Sequence, residues 1–577
     1  MRWIPTTGTL LLALMASPGA SEAQTRADPE ASTGIRANEL VAAERQMIVA
    51  ANPHASRAGA SVLRENGSAA DAMIAALLVL NVVEPQSSGI GGGAFALVHG
   101  PDGLTSFDAR ETAPAAATPE MFLDDGAPLP FFEGVLSGRS TGVPGLVRLM
   151  SVLHERHGKL PWARLFEDAI RLAEVGFEVS PRLSGLLGAF GRRIGETDAR
   201  ALFFPDSSVI SEGEVLRQPE LAQTLRTIAQ EGASAFYSGA VAEAIVAKTA
   251  DAPRPGLLTE QDLAQYEVIE RTPVCHPFRD YEVCGMGPPS SGATTVGQIL
   301  MLLDRFKPDD LALDEARLWH LFAEASRLAY ADRARFLADS DFVKVPVRGL
   351  LDPSYIASRS LLIDPIRASE GRATAGDPPW REGQLYRPDH RQKDTGTTHV
   401  SIIDSDGLAI SLTASIETAF GSQRIAAGFL LNNQLTDFSF VPARDGVAIA
   451  NAVGPRKRPR SSMSPTIVLK DGKPVVITGS PGGSRIPEYV AQTLVAILGY
   501  GADAAEAAAL PHVSQRNRDE LAVEPGLSEP IKARLQEMGH TLDERNMTSG
   551  IHTIVIDDDG RLTGGADPRR EGLAIGD

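Results

Sequence analysis

The C-terminal third of the chain carries the pattern that most limits its fold. Three runs of alternating apolar and polar residues are each interrupted by an Asp-Gly pair, at Asp406-Gly407, Asp471-Gly472 and Asp559-Gly560. Asp-Gly between alternating runs is a strong β-hairpin signal, because these residues accept the positive φ angles of a tight turn. Helical patterns intervene near 487–499, 503–509 and 529–538. We therefore predict an α+β unit, or two sheets covered by helices.

Helices and a glycine-rich segment are predicted upstream. Ala69–Val83 is apolar nearly all round, which indicates a buried helix, and Pro161–Val175 is amphipathic. Residues 87–94, SSGIGGGA, match the spacing of a dinucleotide-binding motif. That motif follows a strand and opens a helix, whereas this segment follows a helical pattern and precedes a hairpin pattern. Close backbone packing explains these glycines better than a nucleotide site does.

Charge and the N-terminus restrict the partners and the compartment. The formal net charge is −18, which repels nucleic acid and anionic membranes and favours a small-molecule or peptide substrate. Residues 1–23 have the pattern of a secretory signal peptide, with an apolar stretch too short to span a bilayer and small residues before a cleavage site after Ala23. No later segment has the apolar length of a transmembrane helix. We expect a periplasmic or secreted protein.

Two cysteines, Cys275 and Cys284, flank a hairpin predicted to turn at Arg279-Asp280. That register places them opposite each other, and a disulfide would persist in an oxidising compartment. Cross-strand bridges have narrow geometry, so two buried free thiols remain an equal alternative.

A polar segment rich in Pro and Gly, 367–395, predicts an exposed linker that ends at Gly396. A predicted strand begins at Thr397. If the chain is cut before Thr397, this residue holds both a hydroxyl and an α-amine, whose ordinary pKa of about 7.7–8.0 lets it accept the hydroxyl proton near neutral pH. Threonine paired with its own amine is an established nucleophile. From the local sequence alone, an ordinary strand threonine is the commoner explanation.

Ordered motifs change that balance. After the linker they are TTHVSIID at 397–404, LLNNQLTDFS at 430–439, NAVGPRKRPRSSMSPTIV at 451–468 and TGSPGGSRI at 478–486. Before it they are SSGIGGGAF at 87–95, DARETAP at 108–114, GVPG at 142–145 and PPSSGATT at 288–295. Together and in this order, the motifs resemble those of gamma-glutamyltranspeptidases over nearly the whole chain after residue 23.

The resemblance implies an N-terminal nucleophile hydrolase, a four-layer αββα sandwich formed jointly by two chains. Self-cleavage before Thr397 would give a large chain, 24–396, and a small catalytic chain, 397–577, that stay together as a heterodimer. The implied reaction transfers the γ-glutamyl group of glutathione or a related amide to Thr397. Water, an amino acid or a dipeptide then takes the acyl group, and no metal or organic cofactor is required.

The resemblance also assigns the catalytic roles. Thr397 matches the nucleophile and Gly396 supplies the carbonyl that is cut. Ser415 matches a second hydroxyl residue, usually threonine, that bonds the nucleophile and its amine. Gly482 and Gly483 match the oxyanion hole, where two unobstructed backbone N–H groups must point at one oxygen.

Substrate recognition is assigned in the same way. Arg110, Ser461 and Ser462 match the groups that bind the substrate's α-carboxylate, and a guanidinium fits a carboxylate with two parallel hydrogen bonds. Gln434 and Asp437 match the groups that bind its α-ammonium. The basic residues Arg456, Lys457, Arg458 and Arg460 could raise the local potential for anionic substrates, but a solvated run is the favoured interpretation.

Two features depart from the family pattern. Glu417 stands where better-known members have Asn on the ammonium side; it would strengthen amine binding, pair with Arg424 or carry a proton. Residues 441–450 fall where some members have a lid with an aromatic tip, yet they contain no aromatic residue, which predicts a more open pocket and favours hydrolysis. Two alternatives stay open: a glutaryl amidohydrolase like the related cephalosporin acylases, whose acyl group lacks the ammonium, and an uncleaved binding protein without activity.

Overall fold

A computed structural model describes residues 39–205, 207–306, 312–380, 385–391 and 396–577. The predicted signal peptide lies outside the described residues, as do parts of the predicted linker. Within these ranges, no helix combines the length and the apolar character needed to cross a membrane.

The strands are numbered in chain order. They are β1 Val41–Ala43, β2 Met47–Ala50, β3 Gly93–Gly100, β4 Gly103–Ala109, β5 Leu123–Asp124, β6 Ala127–Pro128, β7 Phe177–Glu178, β8 Val215–Leu216, β9 Ile269–Arg271, β10 Val274–Phe278, β11 Tyr281–Gly285, β12 Gly396–Ile403, β13 Ala409–Glu417, β14 Ile425–Ala426, β15 Phe429–Leu430, β16 Ala443–Arg444, β17 Val447–Ala448, β18 Thr466–Lys470, β19 Lys473–Thr478, β20 Val513–Ser514, β21 Leu521–Val523, β22 Leu542–Glu544, β23 His552–Ile556, β24 Leu562–Ala566 and β25 Leu573–Gly576.

The α-helices follow in the same order. They are α1 Pro53–Arg64, α2 Ala69–Val83, α3 Phe131–Val135, α4 Leu146–His157, α5 Glu167–Val175, α6 Pro181–Ile194, α7 Arg200–Phe203, α8 Pro219–Glu231, α9 Ser234–Tyr237, α10 Ala240–Thr249, α11 Glu260–Ala264, α12 Gly292–Asp304, α13 Ala316–Phe336, α14 Val347–Leu350, α15 Pro353–Ser360, α16 Ile486–Leu494, α17 Ala504–Ala509 and α18 Glu529–Glu537.

Two antiparallel seven-stranded sheets form the centre of the fold. Their strand orders are β1-β24-β23-β19-β18-β11-β10 and β25-β2-β12-β13-β3-β4-β9. The first packs against α12 and α17, the second packs against α1 and α2, and the sheets contact each other through β2, β12 and β13. Successive side chains of a strand point to opposite faces; Met47 and Val49 belong to the core between the sheets, whereas Ile48 and Ala50 belong to the core under the helices. The result is the predicted αββα arrangement.

Local sequence signals explain several of these elements. Helix α2 has the predicted bounds, because Ser68 and Asp71 form a reciprocal capping box at its start. The three predicted Asp-Gly hairpins are β12–β13, β18–β19 and β23–β24. In hairpin β10–β11, Cys275 faces Cys284 and the two sulfurs are bonded, which decides the alternative left open by the sequence.

The amphipathic segment from Pro161 to Val175 is not one helix. A 3₁₀ turn covers Trp162–Phe166 and α5 begins only at Glu167. The indole N–H of Trp162 donates to the carbonyl of Ile228, 3.0 Å away. Trp162 thus bonds a residue of α8, a contact that the local sequence pattern could not predict. The segment that contains Trp162 forms the tighter 3₁₀ turn instead of the first turn of an α-helix.

Candidate active site

Gly396 and Thr397 open β12, a central strand of the second sheet, and the chain is continuous between them. Gly396 pairs with Glu417 of β13 but Thr397 pairs with Ser415, so Ile416 forms a bulge opposite this peptide bond. Glu417 has a φ of 82°, an unusual value for a residue with a side chain. A Cβ on residue 396 would lie 2.8 Å from the carbonyl oxygen of Gln86, so the backbone here is packed too closely for any residue but glycine.

Ser415 links both sides of this bulge. Its hydroxyl accepts a hydrogen bond from the backbone N–H of Glu417 at 2.8 Å and donates to the carbonyl oxygen of Gly396 at 2.7 Å. The hydroxyl therefore polarises the carbonyl whose carbon an attacking Thr397 oxygen would reach. The carbonyl group of Thr397 itself is also hydrogen-bonded, because Arg570 Nη1 donates to its oxygen at 3.1 Å. No pattern in the sequence pointed to Arg570.

The loop after β19 carries Gly482 and Gly483. Their φ angles are 131° and 56°, in the region that favours glycine. A Cβ on Gly482 would lie 2.4 Å from a ring carbon of Tyr489, so a side chain there would displace the loop. Gly483 and its neighbour Ser484 line the same cleft as Thr397. The sequence prediction that this loop faces the nucleophile is consistent with this placement, and its role as an oxyanion hole stays a prediction.

The cleft holds about 510 Å³, including space open to solvent. It is lined by Thr397 and Ser415 and by most of the predicted substrate-binding residues, namely Arg110, Gln434, Asp437, Ser461 and Ser462. No residue of 441–450 lines it; that segment instead forms the small hairpin β16–β17.

Arg110 and Asp437 bond each other directly. Arg110 Nη2 lies 2.6 Å from Asp437 Oδ2, and Gln434 Nε2 donates to the same oxygen at 2.8 Å. Arg110 also donates to the carbonyls of Pro459 and Arg460. Burial raises the pKa of neighbouring Glu111 to about 8, against the opposing effect of Arg110, so Asp437 is the main anionic partner of Arg110. The guanidinium of Arg110 does not pair with Asp108, whose carboxylate bonds Arg271 at 2.8 Å.

Ser461 and Ser462 differ in what they contact. The Ser461 carbonyl accepts from the Ser291 hydroxyl at 2.7 Å, which fixes this segment against the start of α12. Ser462 Oγ accepts from Arg333 Nη2 at 2.5 Å. Arg333 comes from α13 and lines the cleft, yet it was not among the predicted site residues, because a lone arginine in a helical pattern carries no local signal.

Glu417 does not pair with Arg424, which corrects one of the sequence-based alternatives. Arg424 donates to the carbonyls of Leu136 and Lys248, at 3.2 and 2.9 Å. Glu417 is fully buried and its carboxylate accepts from the side-chain amide of Asn433, another residue that the sequence did not single out. Its carboxylate is thus fixed next to the bulge.

The interpretation of the basic run as solvated holds for Arg456, which is exposed, but is wrong for the other three basic residues. Lys457, Arg458 and Arg460 are each 5% exposed. Lys457 donates to the carbonyls of Ala450 and Ala452, while the backbone N–H of Arg458 donates to Asp339. Arg460 lines the cleft and pairs with Asp389 at 3.4 Å. Burial raises the pKa of Asp389, but Arg391 and Arg460 together lower it to about 2, so this pair stays ionised.

The glycine-rich segment 87–94 packs closely against neighbouring backbone, as expected. A Cβ on Gly91 or Gly92 would lie 2.2 Å from a backbone oxygen of β15 or β13, respectively.

Among the described residues, the group of possible metal ligands that converges on one point is Cys275, Glu282 and Cys284. It lies on the β10–β11 hairpin, and its two sulfurs are bonded to each other.

Comparison with known proteins agrees with this geometry. The glutathione hydrolase proenzyme of Escherichia coli (strain K12) is 37% identical over 572 residues, which cover 97% of this chain and 97% of that protein. The crystal structure of cephalosporin acylase from Bacillus halodurans matches with a TM-score of 0.82 at 27% identity, covering 98% of this chain and 99% of that one. Helicobacter pylori gamma-glutamyltranspeptidase matches with a TM-score of 0.54 at 35% identity, covering 58% of this chain and 95% of that one.

A sequence model of one protein family matches almost the whole described chain. The model described as gamma-glutamyltranspeptidase matches residues 55–577, a range that includes the strand start at Thr397, the glycine loop and the Arg110–Asp437 pair. With its αββα sandwich and a threonine placed at the head of a central strand, the chain belongs to the gamma-glutamyltranspeptidase family of enzymes.

Proposed function

We propose that this protein hydrolyses or transfers the γ-glutamyl group of glutathione and related amides, after cleaving itself between Gly396 and Thr397. The observation that carries the proposal is the shared cleft, which is lined by Thr397, by Gly483 and by the Arg110–Asp437 pair. The proenzyme name of the Escherichia coli relative supports a precursor that is processed.

Maturation would use the polarised carbonyl of Gly396. The Thr397 hydroxyl attacks the carbonyl carbon while the Ser415 hydroxyl, 2.7 Å from the carbonyl oxygen, stabilises the developing negative charge. The C–N bond breaks, its nitrogen takes the proton and becomes the Thr397 α-amine, and an ester links the two residues. Water then hydrolyses that ester, which releases Gly396 as a carboxylate and restores the hydroxyl.

Turnover would repeat this chemistry on the substrate. The α-amine of Thr397 takes the hydroxyl proton as the oxygen attacks the γ-carbonyl, with the backbone N–H groups of Gly482 and Gly483 bonding the oxyanion. The amine proton passes to the leaving nitrogen, and the γ-glutamyl ester remains on Thr397. Water, an amino acid or a dipeptide then attacks this ester; the hairpin at 441–450 leaves the cleft without a lid from that segment, which favours water.

The substrate's ammonium separates two candidate functions. Asp437 and Gln434 line the cleft and offer it a carboxylate and an amide oxygen, so a γ-glutamyl group is favoured. The fold similarity to the Bacillus halodurans cephalosporin acylase keeps a glutaryl-like acyl group as the second candidate. We further propose export through the signal at 1–23 to the periplasm or the medium.

One experiment tests these points together. N-terminal sequencing of the purified chains should place Thr397 first in the smaller one. Turnover of γ-glutamyl p-nitroanilide should then exceed that of glutaryl p-nitroanilide, which keeps the carboxylate and lacks only the α-ammonium. A single full-length chain that persists in active material would refute the proposal, and faster glutaryl turnover would favour the second candidate.

A further inference from the structure

Ser484 anchors the glycine loop to distant parts of the chain. It follows Gly483 directly, lines the cleft and is 5% exposed. Its carbonyl oxygen accepts a hydrogen bond from the Tyr330 hydroxyl, and its hydroxyl oxygen accepts one from Arg516 Nη1. The C-terminal side of the loop is therefore held by two side chains that come from far away in the sequence.

The two glycines give this loop unobstructed N–H groups but little stiffness of its own. Gly482 and Gly483 have φ angles of 131° and 56°, and glycine populates many other conformations at similar energy. An oxyanion hole is effective only when its donors are aimed at the oxygen before the reaction begins. Such a loop needs contacts on both sides. On the N-terminal side the N–H of Gly550 donates to Ser480 Oγ at 3.1 Å, and on the C-terminal side the contacts are those of Ser484.

Tyr330 is well suited to hold the Ser484 carbonyl. It is 1% exposed and lies on α13, which packs against α12 and α18, so its position does not depend on the loop. Burial raises the pKa of the Tyr330 hydroxyl well above its ordinary value, so the hydroxyl keeps its proton and donates even in mildly alkaline solution.

Arg516 is fixed by the helix that follows the loop. Its neighbours Ser514 and Gln515 donate to the carboxylate of Glu488, the first from its hydroxyl at 2.5 Å and the second from its backbone N–H at 2.6 Å. Glu488 lies in the first turn of α16, which begins directly after the loop. The loop, the start of α16 and the segment with Arg516 thus form one hydrogen-bonded unit, and Tyr330 connects that unit to α13.

We propose that Tyr330, together with Arg516, is a positioning residue of the reaction. By holding Ser484, it keeps the backbone N–H groups of the glycine loop aimed at the oxyanion of the substrate. The inference rests on the proposed function. Tyr330 precedes the 396/397 bond and Ser484 follows it, so the large chain helps to shape an oxyanion hole whose donors belong to the small chain. Self-cleavage uses the Ser415 hydroxyl instead and does not depend on this contact.

Tyr330→Phe removes the hydroxyl and keeps the ring. In the self-processed enzyme with γ-glutamyl p-nitroanilide, kcat should fall about tenfold, less than the loss from deleting a donor itself, because Arg516 still holds Ser484. KM should stay within about twofold, since the loop bonds the transition state more strongly than the bound substrate. The half-time of self-cleavage should stay at the wild-type value.

A pair of inhibitors separates positioning from general damage. A boronic acid with boron in place of the γ-carbonyl carbon of the glutamyl group forms a tetrahedral adduct with Thr397 and places an oxygen in the oxyanion hole. Norvaline lacks the γ-carbonyl and occupies only the amino-acid part of the site. In Tyr330→Phe, the inhibition constant of the boronic acid should rise about tenfold, and that of norvaline should not change.

Tyr237→Phe is the matched control. The Tyr237 hydroxyl also donates to a backbone carbonyl, that of Pro144 at 3.0 Å, and the residue is 2% exposed. Tyr237 is not among the residues that line the cleft. This variant should lower the melting temperature by a similar amount to Tyr330→Phe and leave kcat and both inhibition constants unchanged.

Several outcomes decide the matter. A wild-type kcat in Tyr330→Phe, an equal loss of kcat in both tyrosine variants, or an equally slowed self-cleavage would overturn the inference. If Tyr330→Phe gives no soluble protein, Ser484→Ala carries the test, because it removes only the bond from Arg516; a lower kcat at unchanged KM supports the inference, and a wild-type kcat refutes it. Wild-type protein that does not turn over γ-glutamyl p-nitroanilide refutes the proposed function itself, and that result needs no variant.

Discussion

Removal of the Ser415 hydroxyl should slow self-cleavage far more than it destabilises the fold. In Ser415→Ala, the Gly396 carbonyl loses the donor 2.7 Å from the oxygen on which negative charge develops. Loss of one such donor costs about 10²–10³ in rate, or roughly 2.7–4 kcal/mol of transition-state stabilisation. The variant also leaves the buried N–H of Glu417 without its partner, which costs about 1–3 kcal/mol of folding stability.

Ser411 provides a closely matched control on the same strand. Its hydroxyl accepts from the N–H of Thr466 at 3.0 Å and donates to the carbonyl of Thr478 at 2.9 Å, and it is buried like Ser415. Ser411→Ala should therefore lose a similar amount of stability, yet cleave at nearly the wild-type rate because it does not touch Gly396.

The assay is the time course of the two-chain pattern on denaturing gels after synthesis, combined with thermal melting of both variants. We expect the half-time of cleavage to rise about a hundredfold in Ser415→Ala only. The reasoning would be refuted if both variants cleave at equal rates, or if Ser415→Ala matures as fast as the wild type.

Three further predictions concern other parts of the chain. Thr397→Ala should give one uncut chain without turnover, and cleavage at 396/397 in this variant, seen on a denaturing gel, would disprove self-cleavage. Gly482→Ala places a Cβ 2.4 Å from the Tyr489 ring and should lower kcat about a hundredfold with little change in KM; a normal kcat would exclude the oxyanion role. Burial lowers the pKa of His276 to about 4, so its contribution to stability is present above the unfolded pKa of about 6.5 and is lost as the pH falls towards 4. His276→Phe should accordingly flatten the decline in melting temperature between pH 6.5 and 4, and an unchanged slope would contradict this account.

Elements whose signals are local could be predicted from the sequence. The bounds of Ala69–Val83 follow from an apolar run and from a cap that involves only Ser68 and Asp71. The hairpin β12–β13 follows from its own Asp-Gly turn, and this places Thr397 at the start of a strand. The catalytic assignment needed more than local pattern, because a strand threonine looks the same with or without a cut before it.

Features that depend on distant partners could not be predicted. The buried guanidinium groups of Arg458 and Arg460 pair with Asp108 and Asp389, which are far away in the sequence. A run of basic residues gives no sign of such partners, so it was interpreted as solvated. Arg333 was missed for the same reason, since its contacts with Ser291 and Ser462 form only when α13 packs against two other segments.

Both central sheets interleave strands from the two sides of the 396/397 bond. In the second sheet, β2 lies between β25 and β12, and β3 pairs with β13. A cut at this bond would therefore produce two polypeptides that remain one folded unit. Neither fragment contains all strands of either central sheet. Dilution alone should not dissociate the two fragments. The disulfide offers no extra tether, since Cys275 and Cys284 both precede the cut. The nicked molecule should elute as one particle in reductant, and each fragment made alone should be insoluble, because its strands would lack the neighbours that the other fragment supplies.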